Sequence, residues 1–280
     1  MKSNRMSDAW GPAASPAATA AKVLMPPGAE SPLDAAISQR DRDVMGMVRR
    51  ALDRGDVALA FQPIVHAQDP DRVAFHEALL RVMDDTGRVI PAREFILSCE
   101  RHEIGRLLDC LALERALEAL GRAPDLRIAV NMSARSIGYP RWMATLHAGL
   151  GRDVTLAERL IVEITESSAM LLPELTMAFM ADLQARGVAF ALDDFGAGYT
   201  SFRYLRDFDF DILKIAGEFG HGIAAQPDNR VLFQALLSIA RQFDMITVAE
   251  GVERAEDARL LAQLGVDCMQ GYAFGAPALR

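Results

Sequence analysis

Leu59-Ala60-Phe61-Gln62-Pro63-Ile64-Val65 and Val73-Ala74-Phe75-His76-Glu77-Ala78-Leu79-Leu80 are two β-prone apolar runs, separated only by His66 to Arg72. That gap is too short for a crossover helix, so the two strands are expected to pair antiparallel. The rhythm then changes. Strand-like runs at Arg127–Met132, Leu160–Glu163, Phe190–Asp194, Ile212–Lys214, Ile246–Glu250 and Cys268–Gln270 alternate with helical patterns. The helices are expected over Ala92–Leu120 with a break near His102–Gly105, and at Pro140–Leu150, Pro173–Arg186, Ser201–Leu205, Asn229–Phe243 and Ala255–Leu264. Gly151, Gly187 and Gly265 fall where helices should stop. Such alternation implies parallel pairing from the second strand on, in a closed barrel or an open doubly wound sheet. Eight strands is the closing number, and polar residues end nearly every strand rather than gathering at one switch point. No Gly-rich turn follows the first strand, as a dinucleotide-binding sheet would want. The expected fold is therefore α/β, a (β/α)8 barrel with an antiparallel first strand.

Upstream, a helical pattern runs from Asp41 through Val44, Met47, Val48, Ala51 and Leu52 to about Gly55. Residues 1–40 read as a flexible Ala/Pro-rich tail, too short for a sensor domain, leaving 41–280 as the barrel domain. The tail is too Pro-broken for the apolar core of an export signal, and no apolar run approaches the ~18–20 residues of a membrane span. A net charge of −8 argues against nucleic-acid binding or an anionic membrane surface. Cys99, Cys110 and Cys268 are odd in number and widely spaced, as for reduced thiols of a cytoplasmic protein.

Glu77, Asn131, Glu163, Asp193, Asp194 and Glu250 stand at or near strand ends and are all hard oxygen donors. A solvated strand end or a helix cap explains any one of them. A barrel, however, brings all these ends to one mouth. The set suits Mg²⁺ or Mn²⁺ and suits zinc poorly, since no His or Cys joins it. Two divalent ions sharing a carboxylate could activate water against a phosphodiester, with Lys214 adding positive charge. The same residues also describe an enolase-type site, with lysine as base and Mg²⁺ stabilising an enolate. Spacing alone leaves both chemistries open.

The ordered motifs Gln62-Pro63-Ile64, Glu77-Ala78-Leu79-Leu80-Arg81, Asn131-Met132-Ser133, Glu163-Ile164-Thr165-Glu166-Ser167, Asp193-Asp194-Phe195-Gly196-Ala197-Gly198-Tyr199, Leu213-Lys214-Ile215, Ala249-Glu250-Gly251-Val252-Glu253 and Gln270-Gly271-Tyr272 resemble the EAL-domain family. These are bacterial phosphodiesterases that open cyclic di-GMP to linear pGpG. The resemblance spans Asp43 to Leu279 and implies a TIM-like barrel with an antiparallel first strand. It further implies that Glu77, Asn131, Glu163 and Asp193 hold a first metal, and Asp193 with Asp194 a second. Glu250 and Lys214 correspond to the family's catalytic glutamate and lysine, and Gln270 to a glutamine that positions the centre. Gln62, Leu79 and Arg81 correspond to substrate contacts. Glu166 corresponds to a catalytically required glutamate that holds the loop Phe195–Phe202, a link to a dimer interface, and Glu253 to an outer partner of the site. A homodimer is implied, with exposed faces near Tyr199–Leu205 and after Lys214 as its surfaces, and a protein partner is conceivable.

One motif departs from the family. Lys-Ile-Asp is usual, whereas this chain has Lys214-Ile215-Ala216. If the strand extends that far, Ala216 shares the face of Lys214 and a methyl group replaces an inward carboxylate. Such a loss commonly costs ~10²–10³ in rate. Three readings follow: a slow metal-dependent phosphodiesterase, a non-catalytic cyclic di-GMP receptor with a degenerate site, and an interaction scaffold that binds neither nucleotide nor metal.

Overall fold

Among the described residues ten strands make one sheet: β1 Val57–His66, β2 Asp69–Met83, β3 Val89–Pro91, β4 Ile128–Asn131, β5 Leu160–Thr165, β6 Ala189–Phe195, β7 Ile212–Ile215, β8 Ile246–Ala249, β9 Cys268–Gln270 and β10 Ala278–Leu279. Eight of them close a ring in the order β1-β2-β4-β5-β6-β7-β8-β9, with β9 returning to β1. β1 lies antiparallel to both neighbours, and the other contacts around the ring are parallel. The expected (β/α)8 barrel with its antiparallel first strand is thus what the chain forms. β3 and β10, which the sequence does not reveal, are three- and two-residue additions to the edges of β2 and β1. Elements that short leave no periodicity to read.

This computed structural model describes residues 31–197 and 205–279. The expected helix Ser201–Leu205, apart from Leu205, and the loop Phe195–Phe202 beyond Ala197 lie outside the described residues, as do residues 1–30 of the expected tail. The chain divides into two units, up to Gln39 and from Arg40 onward.

The first helix, Pro32–Arg54, starts nine residues before the Asp41 expected from apolar spacing. Its start is chemical rather than periodic. Ser31 Oγ accepts from Asp34 N at 3.0 Å and donates to Asp34 Oδ2 at 2.7 Å, with Pro32 at the first helical position. That is a capping arrangement with a proline whose missing N–H costs nothing there. Leu33 and Ile37 are exposed, so no core contact supports these first turns and the cap carries the start.

Proline also opens the barrel helices Pro140–Arg152, Pro173–Gln184 and Pro227–Gln242. The helix Ala255–Leu264 stops at Gly265 in the left-handed region, as expected, and Gly187 has φ 96° just after Pro173–Gln184. Gly151 does not stop its helix, which continues to Arg152. Asp153 ends it by turning out of helical geometry and accepting from Thr155 N to cap the next turn. The break predicted near His102–Gly105 is real: a four-residue helix, Ile96–Cys99, precedes a new one, Glu103–Arg122. A side chain at Gly105 would meet the Cys99 carbonyl oxygen at 2.7 Å, so the fold-back needs glycine.

Candidate metal and substrate site

Inside the barrel, Ile64, Phe75, Ala129, Ile161, Ala191, Ile212, Val248 and Cys268 form a separate buried apolar cluster, one residue from each of the eight ring strands. Side chains two residues apart on a strand share a face. One step of two toward the mouth therefore reaches Glu77, Asn131, Glu163, Asp193, Lys214, Glu250 and Gln270. On the antiparallel β1 the same step runs backward and reaches Gln62. The inner wall changes from hydrocarbon to oxygen and nitrogen within two residues on every strand.

Lys214 occupies the centre of this polar layer and is 1% exposed. Its Nζ lies 2.8 Å from Asp193 Oδ1, 2.9 Å from Glu250 Oε1, 3.3 Å from Glu163 Oε2 and 3.5 Å from Glu77 Oε2. Burial alone would lower its pKa, but Asp193, Glu163, Glu250 and Glu77 together hold it well above the ordinary lysine value. The ammonium is fixed in place and in charge. Around it the carboxylates divide. Burial pushes Glu163 well up, helped by Glu77, Asp193 and Glu250 and opposed by Lys214. Glu250 is raised to about 8, first by burial and then by Asp193 and Glu77 against Lys214. Glu77 is buried too, yet Lys214 and donated hydrogen bonds from Gln270 and Asn131 keep it below its usual value.

Those bonds order one side of the mouth. Asn131 Nδ2 donates to Glu77 Oε1 at 2.8 Å, so the side-chain amide oxygen is the atom with which Asn131 could ligate a cation. Gln270 Nε2 donates to Glu77 Oε2 at 2.6 Å and to Gln62 Oε1 at 3.1 Å, while Gln62 Nε2 donates to the Gly275 carbonyl at 3.1 Å. Gln62 is register partner of Glu77, so the hairpin that decides the fold also sets this trio. Leu79 and Arg81 continue the Glu77 face of β2 and are half-buried, with Arg81 Nη1 donating to the Leu80 carbonyl at 2.8 Å.

On the other side, successive residues of a regular strand would face apart, but Asp193 and Asp194 sit where the β6–β7 register slips between Leu192 and Phe195. Asp194 has φ 54°, a left-handed conformation uncommon for a residue with a side chain. The irregularity lets both carboxylates address one space. Among the described residues, Asp193, Asp194 and Glu250 can each place an oxygen within 4.8 Å of the others.

Glu166 begins the short helix Glu166–Ala169 and accepts from Gly196 N at 3.3 Å, holding the start of the loop after β6. Glu253 is exposed and lies 3.9 Å from His221 Nδ1. Ala216 corrects an expectation: β7 ends at Ile215, and Ala216 precedes the short helix Gly217–Gly220 instead of extending the strand face of Lys214. Asp109 and Ser168 are not among the residues that the sequence motifs mark. Asp109 Oδ2 accepts from Ser133 N and Ser136 Oγ, and Ser168 Oγ accepts from Ala134 N, all in the loop following Asn131. An acidic residue within the apolar run Leu107-Leu108-Asp109-Cys110-Leu111 was the available signal for the first.

The residues fit divalent cations. Every donor in the layer is oxygen apart from Lys214 and the amide nitrogens, and four carboxylates face a single ammonium. Glu163 Oε1 is fully buried without a hydrogen-bond partner, a costly arrangement that a bound cation relieves.

A family profile described as the EAL domain matches residues 45–277, most of the chain. This chain belongs to the EAL-domain family. It is 31% identical over 245 residues to the bifunctional diguanylate cyclase/cyclic di-GMP phosphodiesterase MucR of Pseudomonas aeruginosa, covering 86% of this chain and 36% of MucR. It is 29% identical over 238 residues to the cyclic di-GMP phosphodiesterase PdeF of Escherichia coli, covering 84% of this chain and 32% of PdeF. The chain thus spans about a third of the length of these relatives. Among solved structures it resembles the PaMucR phosphodiesterase in complex with c-di-GMP, with TM-score 0.73 and 30% identity, covering 84% of this chain and 97% of that one. No helix of this EAL domain's described residues is long and apolar enough to cross a membrane.

Proposed function

We propose that this EAL domain hydrolyses cyclic di-GMP to pGpG with Mg²⁺ or Mn²⁺, two ions in number, and that it does so slowly. The observation that carries the proposal is the convergence of Glu77, Glu163, Asp193 and Glu250 on Lys214, with Asn131 and Asp194 at either flank. Glu77, Asn131, Glu163 and Asp193 would hold one ion, and Asp193 with Asp194 the other. When bound, the ions would polarise the phosphodiester and make water a competent nucleophile near neutral pH.

The chain's own residues supply the rest. Lys214 Nζ places a permanent charge beside the phosphoryl oxygens. Glu250, 2.9 Å from Lys214 Nζ and grouped with Asp193 and Asp194, is placed to take a proton from the attacking water. Water oxygen bonds to phosphorus, the phosphorus–O3′ bond breaks, and the released 3′-oxygen takes up a proton. Gln62, Leu79 and Arg81 would line the dinucleotide, with Arg81 directed to phosphate, while Gln270 and Glu166 keep Glu77 and the loop after β6 in place.

The slow rate is proposed because Lys214-Ile215-Ala216 lacks the carboxylate usual in the family motif, although Ala216 stands just beyond β7. Lys214 is already held by four carboxylates, so the carboxylate missing at 216, which stands beyond the strand face, is not needed to anchor the lysine. The same alanine supports a second reading, a receptor that binds cyclic di-GMP and signals through a homodimer or a protein partner. The reading places the domain in the cytoplasm, where the nucleotide is found. Incubation with cyclic di-GMP and Mn²⁺, followed by chromatography, is expected to yield pGpG and to yield none in EDTA. Micromolar binding with no pGpG after prolonged incubation overturns hydrolysis in favour of the receptor.

A further inference from the structure

The loop Met132–Ser136 connects Asn131 to the rest of the chain, and its five successive backbone N–H groups are all bonded. Met132 N donates to the Glu163 carbonyl at 2.9 Å and Ser136 N to the Ser133 carbonyl at 2.8 Å. Ser133 N donates to Asp109 Oδ2 at 3.1 Å, Ala134 N to Ser168 Oγ at 2.7 Å and Arg135 N to Ser133 Oγ at 3.3 Å. Asp109 Oδ2 also accepts from Ser136 Oγ at 2.6 Å, and Ser136 is fully buried.

Asp109 does not act alone. Glu103, Arg106 and Asp109 are spaced three apart on the helix Glu103–Arg122 and so form one stripe. Glu103 accepts from the Tyr139 hydroxyl, and Arg106 Nε donates to the Arg135 carbonyl at 3.4 Å. The Arg106 guanidinium also lies over the Tyr139 ring, 5.8 Å from its centroid. One helix face thus fastens residues 133–139 at four points, and Ser168 of the helix Glu166–Ala169 adds a fifth at Ala134. A carboxylate 7% exposed, with no hydrogen-bonded cation, is an expensive choice for general stability. Its two bonds instead fix the backbone two residues beyond Asn131.

We infer that Asp109, on the helix face that clamps the loop after β4, is a positioning residue that aims the Asn131 amide oxygen at the first metal ion. The inference rests on the metal-site reading above. It is tested by calorimetric titration of the full chain with Mn²⁺ alone, for the wild type, Asn131→Ala, Asp109→Ala and Asp109→Asn. Removing an outer partner of a metal ligand commonly costs ~10–100-fold in affinity. Asp109→Ala is therefore expected to bind Mn²⁺ about tenfold more weakly, approaching Asn131→Ala. Asp109→Asn, which keeps an oxygen acceptor, is expected to stay within about threefold of wild type. A folded Asp109→Ala protein with wild-type Mn²⁺ affinity overturns the inference and leaves the metal site standing. A wild type that binds no Mn²⁺ overturns the metal site itself, and the inference with it. Should Asp109→Ala not fold, Ser136→Ala removes only the 2.6 Å bond and must weaken Mn²⁺ in the same direction; equal affinity there also overturns the inference.

Discussion

The barrel interior holds two neighbouring layers built by the same eight strands, and they could hardly differ more. The lower, from Ile64 to Cys268, is hydrocarbon apart from one thiol, and nothing in it needs a partner. The upper, two residues nearer the mouth, holds four carboxylates, three amides and an ammonium, and most of its polar atoms depend on one another. The lower layer tolerates error in proportion to volume lost. The upper is a charge network, in which removing one member leaves the others buried and unpaired. A barrel thereby keeps stability and chemistry apart by only two residues.

The largest break in that contrast is Lys214→Ala. Loss of the ammonium leaves Glu77, Glu163, Asp193 and Glu250 without their shared cation, a kind of change that costs about 3–5 kcal/mol. Urea denaturation in EDTA is expected to show that loss, and Mn²⁺ to restore part of it. If stability is unchanged in EDTA, the network is not held by Lys214.

Next in size is Ala216→Asp, which adds a carboxylate at the residue just after β7, two beyond Lys214. Turnover of cyclic di-GMP is expected to rise by up to about 10²-fold, the range for restoring one electrostatic partner. Equal turnover by initial-rate assay shows that position 216 does not limit the reaction.

Asp109→Asn tests a buried carboxylate away from the mouth. Burial pushes Asp109 to about 7, against the bonds from Ser136 and Ser133, compared with 3.8 for an unperturbed aspartate. The native state therefore keeps a proton that the unfolded chain releases. The stability tied to that proton is complete below about pH 4 and is lost as pH rises through 7. Asn mimics the neutral acid at every pH. The variant is expected to match wild type at pH 4 and to melt at progressively higher temperature than wild type up to pH 7, with a constant gap above. Parallel melting curves across that range refute the shift.

The smallest effect belongs to the lower layer. Ile161→Val removes one methylene and is expected to cost roughly 0.5–1.5 kcal/mol in urea denaturation. Its turnover per folded molecule should equal wild type, because the two layers are separable. A large change in rate would show that they are not.

Much of this was legible beforehand because it depends on local pattern. The gap His66–Arg72 dictated an antiparallel start, and period-two runs ending in Glu77, Asn131, Glu163, Asp193, Lys214, Glu250 and Gln270 placed those residues together once closure was assumed. Helix starts at Pro140, Pro173 and Ala255 were readable from proline and apolar spacing. The start at Pro32 is less legible, because a capping serine carries it ahead of the apolar run that begins at Val44. Gly151 misled because a glycine marks a helix end only when the backbone there turns left-handed, and here Asp153 ends the helix instead.

What the sequence by itself determined is the order of strands and the charged groups at the mouth, since both follow from residue type and spacing, whereas Gln62 was implied only by the family resemblance. The tertiary structure alone decided how those groups share charge. Only closure brings Lys214 within 3.5 Å of carboxylates from β2, β5, β6 and the end of β8. Only the irregular register at Asp193-Asp194 turns two successive carboxylates to one side. Likewise, only packing of the helix Glu103–Arg122 gives Asp109 its loop. Pattern is a one-dimensional property, whereas the Coulomb and hydrogen-bond terms that tune a site depend on distances between residues far apart in the chain.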